Sequence, residues 1–164
     1  MNWIFGDNIN TDLMTPGRFN TTVDPYKLAR IAFREYLPEF SKKVKKKDFI
    51  VAGKNFGCGS SRETAATALK YSHIAAILAK SFARIFYRNC MNIGLLLVAV
   101  DTNGIEKDDE LFLDSRGQVL INKTKKTRQK VVIPAMMRCL HKQGGIIPYL
   151  QKHGLESLAD LEKF

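Results

Sequence analysis

The chain has 164 residues, 45% of them hydrophobic and 26% charged, and 26 Lys plus Arg against 16 Asp plus Glu give it a formal charge of +10. This length and composition are typical of a globular domain with its own core, and they exclude disorder as the main state. The longest apolar run, residues 94–100, is far shorter than the roughly 20 residues that span a bilayer, and the N-terminus lacks the pattern of a signal peptide. We therefore expect a cytoplasmic, soluble protein that forms one domain over residues 1–164.

The positive charge is concentrated in two tracts, residues 42–47 and 123–130. A basic excess suggests nucleic acid as a partner. Neither tract, however, carries the interleaved aromatic residues on which single-stranded bases stack. We expect solvated loops rather than a nucleic-acid surface, although an acidic partner protein would also fit the charge.

The cysteines, Cys58, Cys90 and Cys139, are odd in number and widely spaced, with no Cys-x-x-Cys pair. This pattern argues against both a disulfide framework and a self-contained zinc site. We expect no metal to be bound by this chain alone, so any metal chemistry requires another chain.

The first elements are a short strand at 3–5 and, over 7–22, a segment crowded with Asn, Asp, Thr, Pro and Gly. Such a composition predicts a long ordered loop, and loops of this kind are commonly functional. A helix follows over 25–38, with Asp24 as its N-cap and proline at its first position.

The middle of the chain alternates apolar strands with helices: strands at 48–53, 74–79 and 95–100, and helices at 64–71 and 82–89. This order predicts a parallel sheet with right-handed crossovers. After residue 101 the pattern changes to that of an antiparallel meander, with strands at 110–114, 118–122 and 129–133. The tail after Gly144-Gly145 predicts short amphipathic helices. The fold class is therefore α/β, with a parallel sheet core and an additional antiparallel strand set.

The segment 55–63 is the most informative for chemistry. A Gly57-x-Gly59 turn after a buried strand would let the backbone approach a ligand closely. Ser60 and Ser61 would then lie at the N-terminus of the next helix, where free N–H groups and the helix dipole favour an anion or a serine alkoxide.

Arg62, in the predicted first helical turn, would bind a carboxylate through two parallel hydrogen bonds. A purely structural alternative is a capping box, with Ser60 as N-cap and Glu63 three residues later. Capping explains the serine and the glutamate but gives no purpose to Arg62 or to the paired glycines. Both interpretations remain open at this point.

Three segments together resemble a known family: GDNINTD at 6–12, GCGSSRE at 57–63 and AKSFARIFYRN at 79–89. In order and spacing they are similar to the small subunits of 3-isopropylmalate dehydratases, which are separately encoded swivel domains of the aconitase superfamily. The resemblance covers residues 3 to about 100 and, more loosely, the tail through 144–145. It implies an aconitase-type swivelling β/β/α domain.

The resemblance also implies the activity, a hydro-lyase that works only with a large subunit, as a heterodimer or heterotetramer. In this family the large subunit holds a [4Fe-4S] cluster, and no cluster is bound by the small subunit. The reaction interconverts 2-isopropylmalate and 3-isopropylmalate by dehydration and rehydration, in leucine biosynthesis. We accordingly expect a small polycarboxylate as substrate and a cluster-binding large subunit as partner.

Site residues can be carried over from the family motifs. Ser60, the first serine of the Ser-Ser-Arg-Glu motif, would be the base that removes the proton α to a carboxylate. Arg62 would bind a substrate carboxylate and Ser61 would assist. Asp12 matches the acidic residue that borders the site.

The substrate-specificity loop of the family corresponds to Phe19, Asn20, Thr21, Thr22 and Val23. Thr21 stands where homoaconitase-type members place an arginine, so a third carboxylate would lose a charged hydrogen bond of roughly 1.5–3 kcal/mol. The loop is nevertheless more polar than is usual for isopropylmalate enzymes. Substrates of the 2,3-dimethylmalate, citramalate or homoaconitate type therefore remain alternatives, as do a role for Arg18 at the substrate, a subunit that acts only in assembly, and an RNA-binding basic domain.

Overall fold

The computed structural model describes residues 1–19 and 21–161. At its centre lies a four-stranded parallel sheet in the order β1-β2-β3-β4, whose strands are β1 (Asn2–Ile4), β2 (Phe49–Ala52), β3 (Ala76–Ala79) and β4 (Leu97–Ala99). Every residue of β2 and β3 is buried, as is expected for the central strands of a parallel sheet. The predicted parallel core is confirmed.

The described helices are α1 (Thr11–Met14), α2 (Pro25–Ile31), α3 (Phe40–Lys43), α4 (Thr64–Tyr71), α5 (Arg84–Ile93), α6 (Ala135–Gln143), α7 (Ile146–His153) and α8 (Leu158–Leu161). Short 3-10 turns occur at Gly17–Phe19 and Leu155–Ser157. Helix α4 connects β2 to β3, and α5 connects β3 to β4, so each forms one crossover between neighbouring parallel strands. A helix long and apolar enough to cross a membrane does not occur in the described part of the chain.

A second, antiparallel sheet contains β5 (Leu111–Asp114), β6 (Val119–Asn122) and β7 (Thr127–Lys130). This confirms the predicted antiparallel set, but its last strand had been expected at 129–133. The strand ends at Lys130 because its partner there, Val119, is the first residue of β6. Beyond it, the Ile133 N–H donates to the Gln118 side chain at 2.8 Å instead of to a strand.

Buried polar side chains connect the second sheet to β1. The Asn2 amide donates to the carbonyl oxygens of Glu106 (2.8 Å) and Asp109 (2.9 Å). The Asp109 carboxylate in turn accepts from the Asn122 amide at 2.7 Å and from the Glu106 N–H at 2.8 Å. Because these groups form hydrogen bonds with one another, their burial does not incur the free-energy cost of leaving a polar atom without a partner.

Helix α2 begins as predicted but ends earlier. The Asp24 carboxylate accepts from two backbone N–H groups of the first turn, at 2.9 and 3.1 Å, which confirms it as the N-cap. The helix had been expected to continue over 25–38, yet it ends at Ile31. Phe33 follows with a φ of 55° and is fully buried, its ring 5.0 Å from that of Phe40. Burial of this aromatic side chain outweighs the local helical pattern.

The segment 7–22, predicted as a loop, contains α1 and the first 3-10 turn. Helix α1 begins where it does because the Asn10 side chain accepts a hydrogen bond from the Leu13 N–H at 2.8 Å. Thr11 and Met14 of this short helix are buried against the rest of the domain. Four residues are too few for a helix signal in the sequence, so packing rather than propensity forms this turn.

Lys70 connects α4 to the tail of the chain. Its ammonium group donates to the carbonyl oxygen of Ile93, at the end of α5, and to that of Gly144, after α6, at 2.6 Å in the second case. Burial lowers the pKa of Lys70. One side chain therefore donates hydrogen bonds to two carbonyl oxygens at helix ends, where carbonyl groups have no partner within the helix.

Candidate active site

Two loops lie side by side where β1 and β2 end. One covers residues 6–10 and the other residues 53–58, and because their strands are parallel neighbours both loops lie at the same edge of the sheet. Four backbone hydrogen bonds of 2.8–3.1 Å join them: Gly53 to Gly6, Asn8 to Lys54, Gly57 to Ile9 and Thr11 to Cys58. The first two of the three segments that carry the family resemblance are therefore one structural unit.

Two glycines are required for this close packing. A Cβ on Gly53 would overlap the carboxylate of Asp7, which accepts a hydrogen bond from the Lys54 N–H at 2.7 Å. Gly57 has a φ of 82°, and a Cβ there would overlap the ring of Phe86 on α5. Packing against α5 therefore explains why position 57 has no side chain.

The Ser60 hydroxyl lies at the centre of a hydrogen-bond network. The Ser60 Oγ is 3.1 Å from the Thr11 Oγ1, and the Ser60 N–H donates to that same Thr11 oxygen at 3.1 Å. Arg62 donates its Nε to the Ser60 Oγ at 2.8 Å, and an Nη of the same guanidinium donates to the carboxylate of Asp12. The structure thus brings together three of the residues selected from the sequence, Ser60, Arg62 and Asp12.

Residues 60–62 have no regular secondary structure and are not helical. Helix α4 begins at Thr64, and Glu63, in the N-cap position, makes no capping hydrogen bond with its side chain. The prediction that residues 60–62 form the N-terminus of the helix is wrong, and so is the alternative of a capping box with Ser60 as N-cap. The reason is that the hydroxyl of Ser60 is engaged by α1 and Arg62 instead of the first turn of α4.

Ser61, the second serine, is exposed, and its carbonyl oxygen accepts a hydrogen bond from the Asn89 amide of α5 at 3.1 Å. The Asn55 N–H donates to the Ser81 Oγ at 2.8 Å. Together with Phe86 under the loop, these contacts give the third segment, 79–89, a structural purpose: it supports the loop that carries the two serines.

The guanidinium of Arg62 is partly accessible, with 34% of its side chain exposed, while the Asp12 side chain is 56% exposed. The first 3-10 turn passes close by, since a Cβ on Gly17 would lie 3.3 Å from the Arg62 Nη1. Arg18, in contrast, forms an ion pair with Glu35. Of the two arginines, Arg62 is therefore the one that the structure places beside Ser60.

The described part of the predicted specificity loop borders an open depression at the start of α4. Thr21, Thr22 and Val23, together with Thr64, line this depression, which has a volume of about 410 Å³. Phe19 lies under the guanidinium groups of Arg18 and Arg34, 5.2 and 4.8 Å from its ring centroid. The remaining member of the loop, Asn20, lies outside the described residues.

No set of three His, Cys, Asp or Glu side chains that could hold a metal ion occurs among residues 1–19 and 21–161. Cys90 is fully buried, and burial raises the pKa of its thiol well above the ordinary value, which disfavours the thiolate that a metal would need. Cys58 and Cys139 are half-buried and unpaired by disulfide. The side chains described here therefore do not fit an iron-sulfur cluster.

Of the two lysine tracts, the first lies away from these loops and the second is partly neutralised by ion pairs. Residues 42–47 precede β2, so they lie at the opposite end of that strand from Ser60. In the second tract, Lys123 forms an ion pair with Glu110 at 2.5 Å and Lys125 with Glu106 at 2.7 Å. Their place in the structure gives neither tract a role at the candidate site.

Two neighbours of Ser60 and Ser61 were not selected from the sequence, Thr11 and Asn89. Thr11 stands beside Asp12 in the first segment, and Asn89 ends the third, so both were within the segments that carry the family resemblance. The contact between Thr11 and Ser60 joins residues 49 positions apart, and that between Asn89 and Ser61 joins residues 28 positions apart. Local sequence patterns do not indicate contacts over such separations.

Comparison with known proteins places this geometry in a family. The model of the aconitase C-terminal domain matches residues 8–103. The 3-isopropylmalate dehydratase small subunit 2 of Archaeoglobus fulgidus is 46% identical over 155 residues, 93% of each chain. The methanogen homoaconitase small subunit of Methanocaldococcus jannaschii is 45% identical over 153 residues, 92% of this chain and 89% of its own.

A solved structure is similar to this chain in fold. The crystal structure described as 3-isopropylmalate dehydratase from Methanocaldococcus jannaschii superposes with a TM-score of 0.89 at 41% identity, over 97% of this chain and 96% of that chain. Sequence and fold therefore match over nearly the whole length. The chain belongs to the aconitase C-terminal domain family, as a small subunit of the 3-isopropylmalate dehydratase group of hydro-lyases.

Proposed function

We propose that this chain provides the base and a carboxylate-binding group for the interconversion of 2-isopropylmalate and 3-isopropylmalate. The observation that carries the proposal is the Ser60 hydroxyl held at 2.8 Å by the Nε of the partly exposed Arg62. The names of several relatives at about 46% identity support the substrate. On this proposal the reaction belongs to leucine biosynthesis in the cytoplasm.

In the proposed mechanism, Ser60 removes the proton on the carbon α to a substrate carboxylate and returns a proton in the reverse direction. A serine acts as such a base only when its hydroxyl is ionised, and a cationic donor on the Oγ favours the alkoxide. Arg62 provides that donor. The same positive charge stabilises the enolate-like transition state that forms beside it.

Arg62 also binds the substrate in this proposal. A guanidinium has five N–H donors, of which one is directed to Ser60 and one to Asp12. The remaining donors of the Nη groups are available to a carboxylate in the fork geometry that arginine favours. The adjacent Ser61 hydroxyl, which is exposed, adds a further donor.

The small-subunit names of the relatives imply a large-subunit partner. We propose that this partner holds the [4Fe-4S] cluster of the family, because the described side chains of this chain do not fit one. When bound, the cluster supplies Lewis-acid chemistry. This chain supplies Ser60, Ser61, Arg62 and Asp12 to the shared site.

The specificity loop supports an alkyl substituent rather than a third carboxylate. The open depression of about 410 Å³ is bordered by Thr21, Thr22 and Val23, none of which carries a charge, and by Thr64, whose hydroxyl is buried. Arg18 is engaged by Glu35. A third carboxylate would therefore meet no free arginine from the described part of the loop, whereas an isopropyl group would meet apolar atoms.

The test is turnover by the complex reconstituted with its large subunit. We expect the highest kcat/KM with 3-isopropylmalate, lower values with 2,3-dimethylmalate and citramalate, and the lowest with citrate and homocitrate. A clear preference for citrate or homocitrate would contradict the substrate assignment. No hydration or dehydration of any of these acids would contradict the function as a whole.

A further inference from the structure

We propose that Thr11 is a positioning residue that donates its hydroxyl proton to the Ser60 Oγ. Thr11 and Arg62 would then be two donors that hold the serine oxygen from two sides and stabilise it as an alkoxide. The inference rests on the proposed function, in which Ser60 is the base. It adds a residue and a direction of hydrogen bonding that the resemblance to the family does not supply.

The protons available allow this direction. A hydroxyl has one proton and two lone pairs, and the Thr11 Oγ1 already accepts the Ser60 N–H at 3.1 Å. Its own proton has two acceptors within reach, the Ser60 Oγ at 3.1 Å and the Ser60 carbonyl oxygen at 3.4 Å. The first is closer. We infer that Thr11 donates to the Ser60 Oγ, the closer of the two acceptors.

Arg62 has no lone pair to offer, so its Nε can only donate to the Ser60 Oγ. With Thr11 donating as well, the serine oxygen accepts two hydrogen bonds and its own proton is free to leave. Loss of that proton strengthens both bonds, because donors to a charged oxygen bind more strongly than donors to a neutral one. If Ser60 donated to Thr11 instead, ionisation would break that bond.

The donor is held rigidly. Thr11 is 1% exposed, and its N–H donates to the Cys58 carbonyl oxygen at 2.9 Å. Its β-branched side chain restricts rotation about χ1. Gly59 gives the hydroxyl room, since a Cβ there would lie 3.3 Å from the Thr11 Oγ1. A fixed donor aimed at the oxygen that becomes charged requires no reorganisation during the reaction.

The test uses the complex with its large subunit and 3-isopropylmalate as probe. Thr11→Val keeps the shape of the side chain and removes the hydroxyl. We expect kcat to fall roughly 100-fold, the size of effect seen when one oxyanion donor is removed, with KM nearly unchanged. The acidic limb of the pH profile of kcat moves to higher pH, because the serine is harder to ionise. Thr11→Ser restores both quantities.

Thr15→Val is the matched control. Thr15 follows α1 directly, is also 1% exposed, and its hydroxyl contacts the Thr11 carbonyl oxygen at 3.5 Å rather than Ser60. We expect this variant to keep the wild-type pH profile. An equal loss of kcat in Thr15→Val would overturn the inference, because both variants would then act through the packing of α1.

An unshifted acidic limb in a folded Thr11→Val variant would also overturn the inference. If that variant does not fold, Thr11→Cys replaces it: the thiol is a weak donor, so a rate between those of wild type and Thr11→Val is expected, and a wild-type rate overturns the proposal. Ser60→Ala is measured in parallel. Activity retained in Ser60→Ala refutes the proposed function, whereas an inactive Ser60→Ala with an unchanged Thr11→Val refutes the role of Thr11 alone.

Discussion

The carboxylate of Asp12 accepts a hydrogen bond from Arg62 across 50 residues of sequence, and so connects α1 to the segment that precedes α4. Both side chains are partly exposed, at 56% and 34%. Ion pairs this exposed contribute only about 0–1 kcal/mol to stability. The contact is better explained as one that orients the guanidinium toward Ser60 and the substrate.

Asp12→Asn should therefore affect binding more than folding. We expect the free energy of unfolding to change by less than about 1 kcal/mol, while KM for 3-isopropylmalate rises about tenfold, equivalent to some 1.4 kcal/mol. Urea unfolding of the subunit and steady-state kinetics of the complex measure the two effects. An unchanged KM would mean that Arg62 is oriented without Asp12.

Ser60→Ala removes the proposed base and leaves the carboxylate-binding residues in place. We expect kcat to fall by more than about 100-fold, the lower limit for loss of an acid-base group, while the substrate still binds. Turnover and equilibrium binding of 3-isopropylmalate to the complex measure this. Ser41→Ala, in α3, is the control and should keep wild-type kcat. Near-normal turnover by Ser60→Ala contradicts the assignment.

Thr21→Arg places a cation in the proposed specificity loop. A third carboxylate would then gain a charged hydrogen bond of about 1.5–3 kcal/mol. We expect the ratio of kcat/KM for homoaconitate to that for 3-isopropylmalate to rise at least about tenfold. Thr21→Gln, which is polar but uncharged, tests whether size alone is responsible. An equal rise in that variant would exclude the charge as the cause.

Gly57→Ala and Gly104→Ala form a matched pair for stability. Both glycines have a positive φ, 82° and 74°, but only Gly57 is packed against another residue, Phe86. The backbone strain is about 1–2 kcal/mol in each case. Overpacking adds a further 1–3 kcal/mol at Gly57 alone. Denaturant unfolding should show the larger loss for Gly57→Ala, and equal losses would show that the loop adjusts away from α5.

Asp109 should make the stability depend on pH at the acidic end. Its pKa is lowered from the ordinary value, first by the hydrogen bond from the Glu106 N–H and then by those from Asn122 and Lys125. A carboxyl group whose pKa is lower in the folded state stabilises that state above its unfolded value of about 3.9, and the contribution is lost as the pH falls through the folded value.

The difference in unfolding free energy between wild type and Asp109→Asn should therefore be largest above about pH 5 and shrink as the pH falls below about 4. Urea unfolding at several pH values measures it. Asp108→Asn, at the exposed neighbouring position, should show a small difference throughout. A difference for Asp109→Asn that is constant from pH 3 to pH 6 would contradict this prediction.

The sequence predicted those elements whose signals are local. Helix α4 has its expected bounds, and α2 begins at the expected Asp24 cap, because an N-cap followed by proline acts within one turn. Phe33 and helix α1 were not anticipated, since both depend on burial against distant parts of the chain.

At the candidate site, too, the features with a signal in the sequence were predicted and those that depend on long-range contacts were not. The motif resemblance selected Ser60, Arg62 and Asp12, and the structure brings these side chains into one network. It did not select Thr11, whose contact with Ser60 exists only after β1 and β2 have paired. The irregular course of residues 60–62 was missed for the same reason: the local pattern resembles a helix cap, but the Ser60 hydroxyl contacts Thr11 of α1 instead.

The four main-chain hydrogen bonds between the loops after β1 and β2, together with the Phe86 ring under Gly57, leave those loops little freedom to lose when a substrate arrives. Substrate binding therefore does not incur the entropic cost of ordering these loops. In the proposed complex, Ser60 would therefore reach the substrate through a rigid-body movement of the subunit rather than through a rearrangement of these loops. Such a step displaces solvent around an entire domain, so its rate would fall as the viscosity of the solvent rises.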